Sequence, residues 1–154
     1  KDALVAAIAE EGFRLFAAQL RAHVAACTSP KVTDRLREMS VGYVAFALEH
    51  PAYLRVIFGG VVDKTRAPAG LKQAAEDAYA VLRTLVAEGV ASGELRAGDP
   101  DELALACWSL SHGFAMLIVD RALPQPLIAA GPAEAMTRAI SGVLLEGLAR
   151  RPRG

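Results

Sequence analysis

Neither sign of charge is in excess in this 154-residue chain. Its 17 Lys and Arg offset 17 Asp and Glu, for a formal net charge of zero at pH 7. Gripping phosphates takes clustered Lys and Arg, so a neutral chain makes a poor nucleic-acid binder in its own right. The one basic cluster, Arg150, Arg151 and Arg153, sits at the tail, where arginines complement a helix dipole. Cysteine is scarce: Cys27 and Cys107 stand far apart in apolar neighbourhoods. That excludes a disulfide framework and suits a reducing, cytoplasmic compartment. Histidine is scarce too. His23, His50 and His112 show no ligand spacing, and there is no H-E-x-x-H, C-x-x-C, P-loop or G-x-S-x-G. A chain of this length buries roughly 68–70% of its unfolded surface, so folding calls for no metal or cofactor, and none is expected. No secretory signal is read at the start. The longest near-apolar run, Leu103 to Val119, contains Ser109, Ser111 and His112; against the need for about 20 apolar residues it reads as too short and too polar to span a membrane.

Alternation of apolar and polar residues is absent as well, which removes strands and leaves helices. Leu4, Ile8, Phe16, Leu20 and Val24 are spaced by four or eight, predicting a helix from Asp2 to about Cys27. Ser29-Pro30 reads as the start of a second helix, with the hydroxyl as cap and proline at the first helical position; it carries Val32, Leu36, Met39, Tyr43 and Phe46 and closes at His50-Pro51. Pro51 opens a third, short helix to Phe58. Residues 59 to about 69 form the longest loop and are expected to be the most mobile part. A fourth helix runs from Leu71 to Ser92-Gly93. Asp99-Pro100-Asp101-Glu102 then starts a fifth of about 20 residues. Pro124, Gln125 and Pro126 break the chain, and Gly131-Pro132 opens a last helix with Met136, Ile140, Val143, Leu144, Gly147 and Leu148. The expectation is an all-α bundle of six helices in a single domain, residues 1–154.

Catalytic constellations are hard to assemble from these residues. Glu49 and His50 are neighbours, but adjacent helical side chains point about 100° apart, and His50 is placed to cap the next helix. Ser109 faces His112 across one turn, yet a hydroxyl there more often bonds its own helix, and no acid follows to orient the imidazole. The chain is expected not to be an enzyme. A small helical enzyme using His112, or a ligand-free interaction bundle with a solid core between Trp108 and Phe16, are the alternatives.

The fifth helix has two apolar stripes where a surface helix needs one. Leu103, Ala106, Leu110, Gly113 or Phe114, and Leu117 form one; Leu105, Trp108, His112, Ala115 and Val119 form the other. Such a helix is covered twice, once by its own domain and once by a partner. The last helix is similarly broad, and the simplest partner is a second copy, giving a four-helix interface of Ala106, Leu110, Gly113, Phe114, Leu117, Ile140, Val143, Leu144 and Gly147. A monomer in which the fifth helix is merely central satisfies the same spacing. On the other stripe, Trp108 and His112 point into one region, as an apolar cavity with a polar anchor requires. Phe13, Phe16, Tyr43, Phe46, Tyr53, Phe58, Tyr79 and Met116 are the candidate walls.

Trp108-Ser-Leu-Ser-His112-Gly113 resembles the W-x-x-x-H-G motif of the WHG class of TetR-family regulator C-terminal domains. Glu49-His50-Pro51-Ala52-Tyr53-Leu54-Arg55-Val56-Ile57-Phe58 is similar to that class's second-to-third helix junction. Ala91-Ser-Gly-Glu-Leu-Arg96 with Asp99-Pro100 resembles its link into the long fifth helix, and Lys1-Asp2-Ala3-Leu4 the boundary with a helix-turn-helix domain. The resemblance implies an effector-binding and dimerisation domain of a one-component repressor, sensing a small hydrophobic or aromatic ligand. Operator DNA would be met only through an N-terminal domain absent from this chain. Phe13, Phe16 and Leu20 would then sense the pocket from one side, with Trp108 and His112 as its floor.

Overall fold

The computed structural model describes residues 2–60, 62–128 and 131–148. Lys1 and the basic tail of Arg150, Arg151 and Arg153 lie outside the described residues. The helices are α1 (Asp2–Ala26), α2 (Val32–Glu49), α3 (Pro51–Phe58), α4 (Ala69–Ser92), α5 (Pro100–Val119), α6 (Gln125–Ile128) and α7 (Ala133–Leu148), with a 3-10 turn at Lys64–Arg66. Among the described residues there are thus seven α-helices and no strand, one helix more than the spacing predicts. The addition is α6. Proline is tolerated in a first helical turn, where its missing N–H would have had no partner, so the Pro124–Pro126 break holds one turn, closed by the Leu127 N–H to the Pro124 carbonyl at 2.9 Å. The loop after α3 is likewise shorter than expected. The Asp63 carboxylate accepts from the Thr65 backbone N–H (2.9 Å) and hydroxyl (2.6 Å), capping the 3-10 turn.

Local chemistry sets most of the other boundaries. Asp99 accepts from the Asp101 N–H at 2.9 Å with Pro100 at the first helical position, as read from the sequence. Gly93, at φ 76°, ends α4 in the left-handed conformation that suits a residue without Cβ. His50 occupies the cap position before α3 but makes no side-chain cap; its ring packs on Phe46 and Tyr53 instead. The α2 start also departs from expectation. Ser29 accepts from the Lys31 N–H at 3.3 Å and donates to Asp34 at 2.6 Å. The free Val32 N–H is taken by Glu94, 2.9 Å away and 62 residues later in the chain. A carboxylate at a helix N-terminus meets both an unsatisfied donor and the positive end of the dipole.

Helix α2 is the central element, packed against α1, α3, α4, α5 and α7. From Met39 to Ala47 only Ala45 is not fully buried. Helix α5 buries Leu103, Ala104, Cys107, Ser111, Phe114 and Ala115, an arc that takes members from both predicted stripes because its centre lies between them. Beginning at Pro100, α5 is longer than the run read from the sequence and is long and apolar enough by length and composition to cross a membrane. That corrects the expectation. In the bundle it packs on α2, α4 and α7, and its buried Ser111 hydrogen-bonds within the core.

Close approach of α1 and α3 depends on Gly12, where an added Cβ would sit 2.9 Å from both Tyr53 Cδ1 and Ile57 Cγ2. Gly12→Ala therefore loses about 1–3 kcal/mol of stability, measured by urea denaturation. An unchanged midpoint would show that α3 yields freely.

Candidate functional site

Alanines on α1 and α4 set among rings from α1 to α5 leave space between the helices. Helix α1 supplies Ala9, Phe13, Phe16 and Leu20; α2 supplies Met39 and Tyr43; α3 supplies Val56, Ile57 and Phe58. The segment after α3 adds Gly60, Val62 and Ala67. Helix α4 contributes Leu71, Lys72, Ala75, Glu76, Ala78, Tyr79 and Leu82, and α5 contributes Trp108 and Ser111. They line a cavity of about 320 Å³, large enough for a small organic molecule.

The rings brace one another. Phe58 is the hub, within 5.1–6.2 Å centroid distance of Phe13, Phe16, Tyr43, Trp108 and His112. Phe16 meets Tyr43 edge to face at 4.8 Å, and Tyr79 meets Trp108 at 5.8 Å. Such aromatic pairs prefer particular geometries and add about 0.5–1.5 kcal/mol each beyond their burial.

One polar chain crosses this apolar wall. The Trp108 Nε1–H donates to the Tyr43 hydroxyl at 3.3 Å, and that hydroxyl lies 2.9 Å from His112 Nδ1. Indole N–H can only donate. Burial pushes the Tyr43 phenol well above its ordinary pKa, the Trp108 hydrogen bond opposing it, so the phenol stays protonated, and the direction of its bond to His112 Nδ1 follows the imidazole tautomer. Burial also lowers the His112 pKa and pushes the Cys107 thiol up to about 11, which leaves Cys107 an inert thiol at neutral pH. Ser111 donates within its own surroundings, to the Cys107 carbonyl (3.0 Å) or Ser40 (3.1 Å).

Seven of the candidate wall residues line the cavity: Phe13, Phe16, Leu20, Tyr43, Phe58, Tyr79 and Trp108. Four lie elsewhere. Phe46 is fully buried behind Phe16, Tyr53 packs on Gly12 and His50, and His112 sits behind Tyr43. Met116, one turn beyond His112 on α5, packs on the core away from the lining. Of the α4 wall only Tyr79 was foreseen; the signal for the rest was the spacing of Leu71, Ala75, Ala78 and Leu82, which reads equally as ordinary core. Space lies where the interaction-bundle alternative needs a solid core, since Phe16 and Trp108 both face the cavity. On the dimer list, Phe114 is buried in its own core, Ala106, Ile140 and Leu144 are half-buried, and Leu110 lines a small cleft with residues of α2 and α7. Leu117 is 45% and Val143 75% exposed, and Gly113 and Gly147 are exposed. Among the described residues no three His, Cys, Asp or Glu side chains gather as metal ligands.

A family model described as "Tetracyclin repressor-like, C-terminal domain" matches residues 36–143. The chain belongs to this family. Solved structures agree with the fold. A protein of unknown function from Rhodococcus sp. RHA1 superposes with a TM-score of 0.85 at 26% identity, over 97% of this chain and 75% of its own. A tetR-family regulatory protein from Rhodococcus RHA1 gives 0.73 at 18%, over 98% and 75%. A TetR family transcriptional regulator from Chloroflexus aurantiacus J-10-FL gives 0.67 at 17%, over 92% and 71%. No curated protein matches the chain. This tetracyclin repressor-like domain therefore carries a largely apolar cavity, open on one side, in a fold shared with regulators.

Because the His112 pKa is lowered on folding, folding favours its neutral form. The contribution is full above the unfolded value of about 6.5 and declines as pH falls through it. Asp34, Asp63 and Asp101, held below their ordinary range by hydrogen bonds from Ser29, Thr65 and Arg83, titrate well under this window. The thermal midpoint should fall between pH of about 7.5 and about 5.5, and fall less in His112→Gln. Equal slopes in both proteins would remove His112 from the account.

Proposed function

We propose that the chain is the effector-binding and dimerisation domain of a TetR-like transcriptional repressor, of the WHG class, working in the cytoplasm without catalysis. The observation that carries this reading is the cavity of about 320 Å³ walled by rings, inside a tetracyclin repressor-like C-terminal domain. Its lining is apolar but for Tyr43, Trp108, Ser111 and the exposed Lys72 and Glu76, and it suits a small hydrophobic or aromatic effector. The WHG motif gains a physical role from the same contacts: Trp108 lines the cavity, His112 anchors Tyr43, and Gly113 leaves the opposite face of α5 without a side chain.

That opposite face supports a second copy as partner. A Cβ added at Gly113 or Gly147 meets nothing within 4 Å, although a helical glycine costs about 1 kcal/mol relative to alanine. The chain's own packing gives no reason for either glycine; close approach by another backbone does. Leu117 and Val143 stand exposed beside them. Ligand would then shift the population between two dimer arrangements, with α1 as the lever towards a DNA-reading domain carried outside these 154 residues.

Trp108 is the single tryptophan and reports directly on the cavity. Naphthalene should change its emission saturably, and Ala78→Phe, which fills the cavity, should weaken binding at least about tenfold, or about 1.4 kcal/mol. No saturable change in the unaltered chain would contradict the sensor reading. For the interface, the double substitution Leu117→Arg and Val143→Arg should give a folded monomer at micromolar concentration by sedimentation velocity. An intact dimer would place the contact elsewhere.

A further inference from the structure

Hydrogen-bond accounting at the deep end of the cavity narrows the ligand further, on the reading that this cavity is the effector site. Three buried or half-buried polar side chains line it: Tyr43, Trp108 and Ser111. The single proton of Trp108 Nε1 is given to the Tyr43 oxygen. The Ser40 hydroxyl gives its proton to the Leu36 carbonyl, so Ser111 spends its own on Ser40 or on the Cys107 carbonyl. Tyr43 cannot donate to an indole N–H, and in the His112 tautomer that carries its proton on Nε2 the bare Nδ1, at 2.9 Å, takes the Tyr43 proton; the opposite tautomer would donate to Tyr43 instead. A one-way chain from Trp108 through Tyr43 to His112 is the cooperative arrangement of these groups.

Every donor in this end is therefore committed. A phenolic oxygen has capacity for two incoming hydrogen bonds, and Trp108 supplies one. What is left over is acceptor capacity alone, one position on Tyr43 Oη and the lone pairs of Ser111 Oγ, in a wall otherwise made of carbon. We infer that the effector is an apolar molecule carrying a hydrogen-bond donor, a hydroxyl or an N–H, received by Tyr43, and that Tyr43 determines this specificity. An acceptor-only molecule of the same shape would find no free proton among these buried groups, the exposed Lys72 aside, and would lose its bond to water on entering.

Isothermal titration of the full chain with 4-butylphenol, 4-butylanisole and butylbenzene separates the possibilities, since the three share a body and differ in having a donor, an acceptor only, or neither. The phenol should bind at least about tenfold more tightly than the anisole. In Tyr43→Phe that preference should shrink to less than about threefold, with butylbenzene binding unchanged within the same factor. Anisole binding as tightly as phenol to the unaltered chain overturns the inference, and this rank order decides the matter even if Tyr43→Phe fails to fold. A phenol preference that survives in a folded Tyr43→Phe protein also overturns it. If none of the three binds, the cavity is no ligand site, and the functional reading falls together with this one.

Discussion

Helix α2 has almost no solvent face between Met39 and Ala47, and the rest of the molecule follows from that constraint. A helix buried all round needs neighbours on every side, and α1, α3, α4, α5 and α7 all pack against it. It also needs an answer for each polar group it carries inside. Ser40 is answered by the Leu36 carbonyl and by Ser111, and Tyr43 by Trp108 and His112. The free Val32 N–H at its start is answered by Glu94. Two of these answers come from α5, so the polar bonds that make α2 buriable also fix α5 against it and place Trp108 and His112.

The cavity is a consequence of unequal side chains across one gap. Alanines on α1 and α4, Ala9, Ala75 and Ala78, face rings from α1, α2, α3 and α5. Small side chains leave the space, and rings held against one another have fewer rotatable bonds with which to fill it than long flexible side chains. A ligand that binds only the folded chain would then add to its stability by mass action, which ties sensing to the packing of the core. On the far side of α5 the chain carries apolar side chains and bare glycines that its own helices leave uncovered. The cavity and this uncovered face thus lie on opposite sides of one helix.

Much of this was legible in the sequence, where local chemistry decides the outcome. Asp99-Pro100, His50-Pro51 and Gly93 each mark a boundary because capping, the missing N–H of proline and left-handed geometry act over three or four residues. The resemblance around Trp108-His112-Gly113 pointed to the family that the match over residues 36–143 bears out. What was not legible depends on contacts distant in the chain. Glu94 caps a helix that begins 62 residues earlier, and no spacing rule reaches that far. Phe16 and Phe46 have the same chemistry and similar helical spacing, yet one faces the cavity and the other is fully buried behind it. Alanines that pack and alanines that leave a void read alike. Helix α6 escaped because two prolines signal an interruption without revealing that one turn fits inside it.

The central claim is that one small apolar molecule occupies the cavity of each chain in a two-chain assembly. Native mass spectrometry of the purified protein, followed by denaturation of the same sample, tests it directly. The account predicts a dimer that carries, or on addition of 4-butylphenol takes up, one sub-kilodalton molecule per chain. A monomer that takes up none at saturating concentration would contradict it.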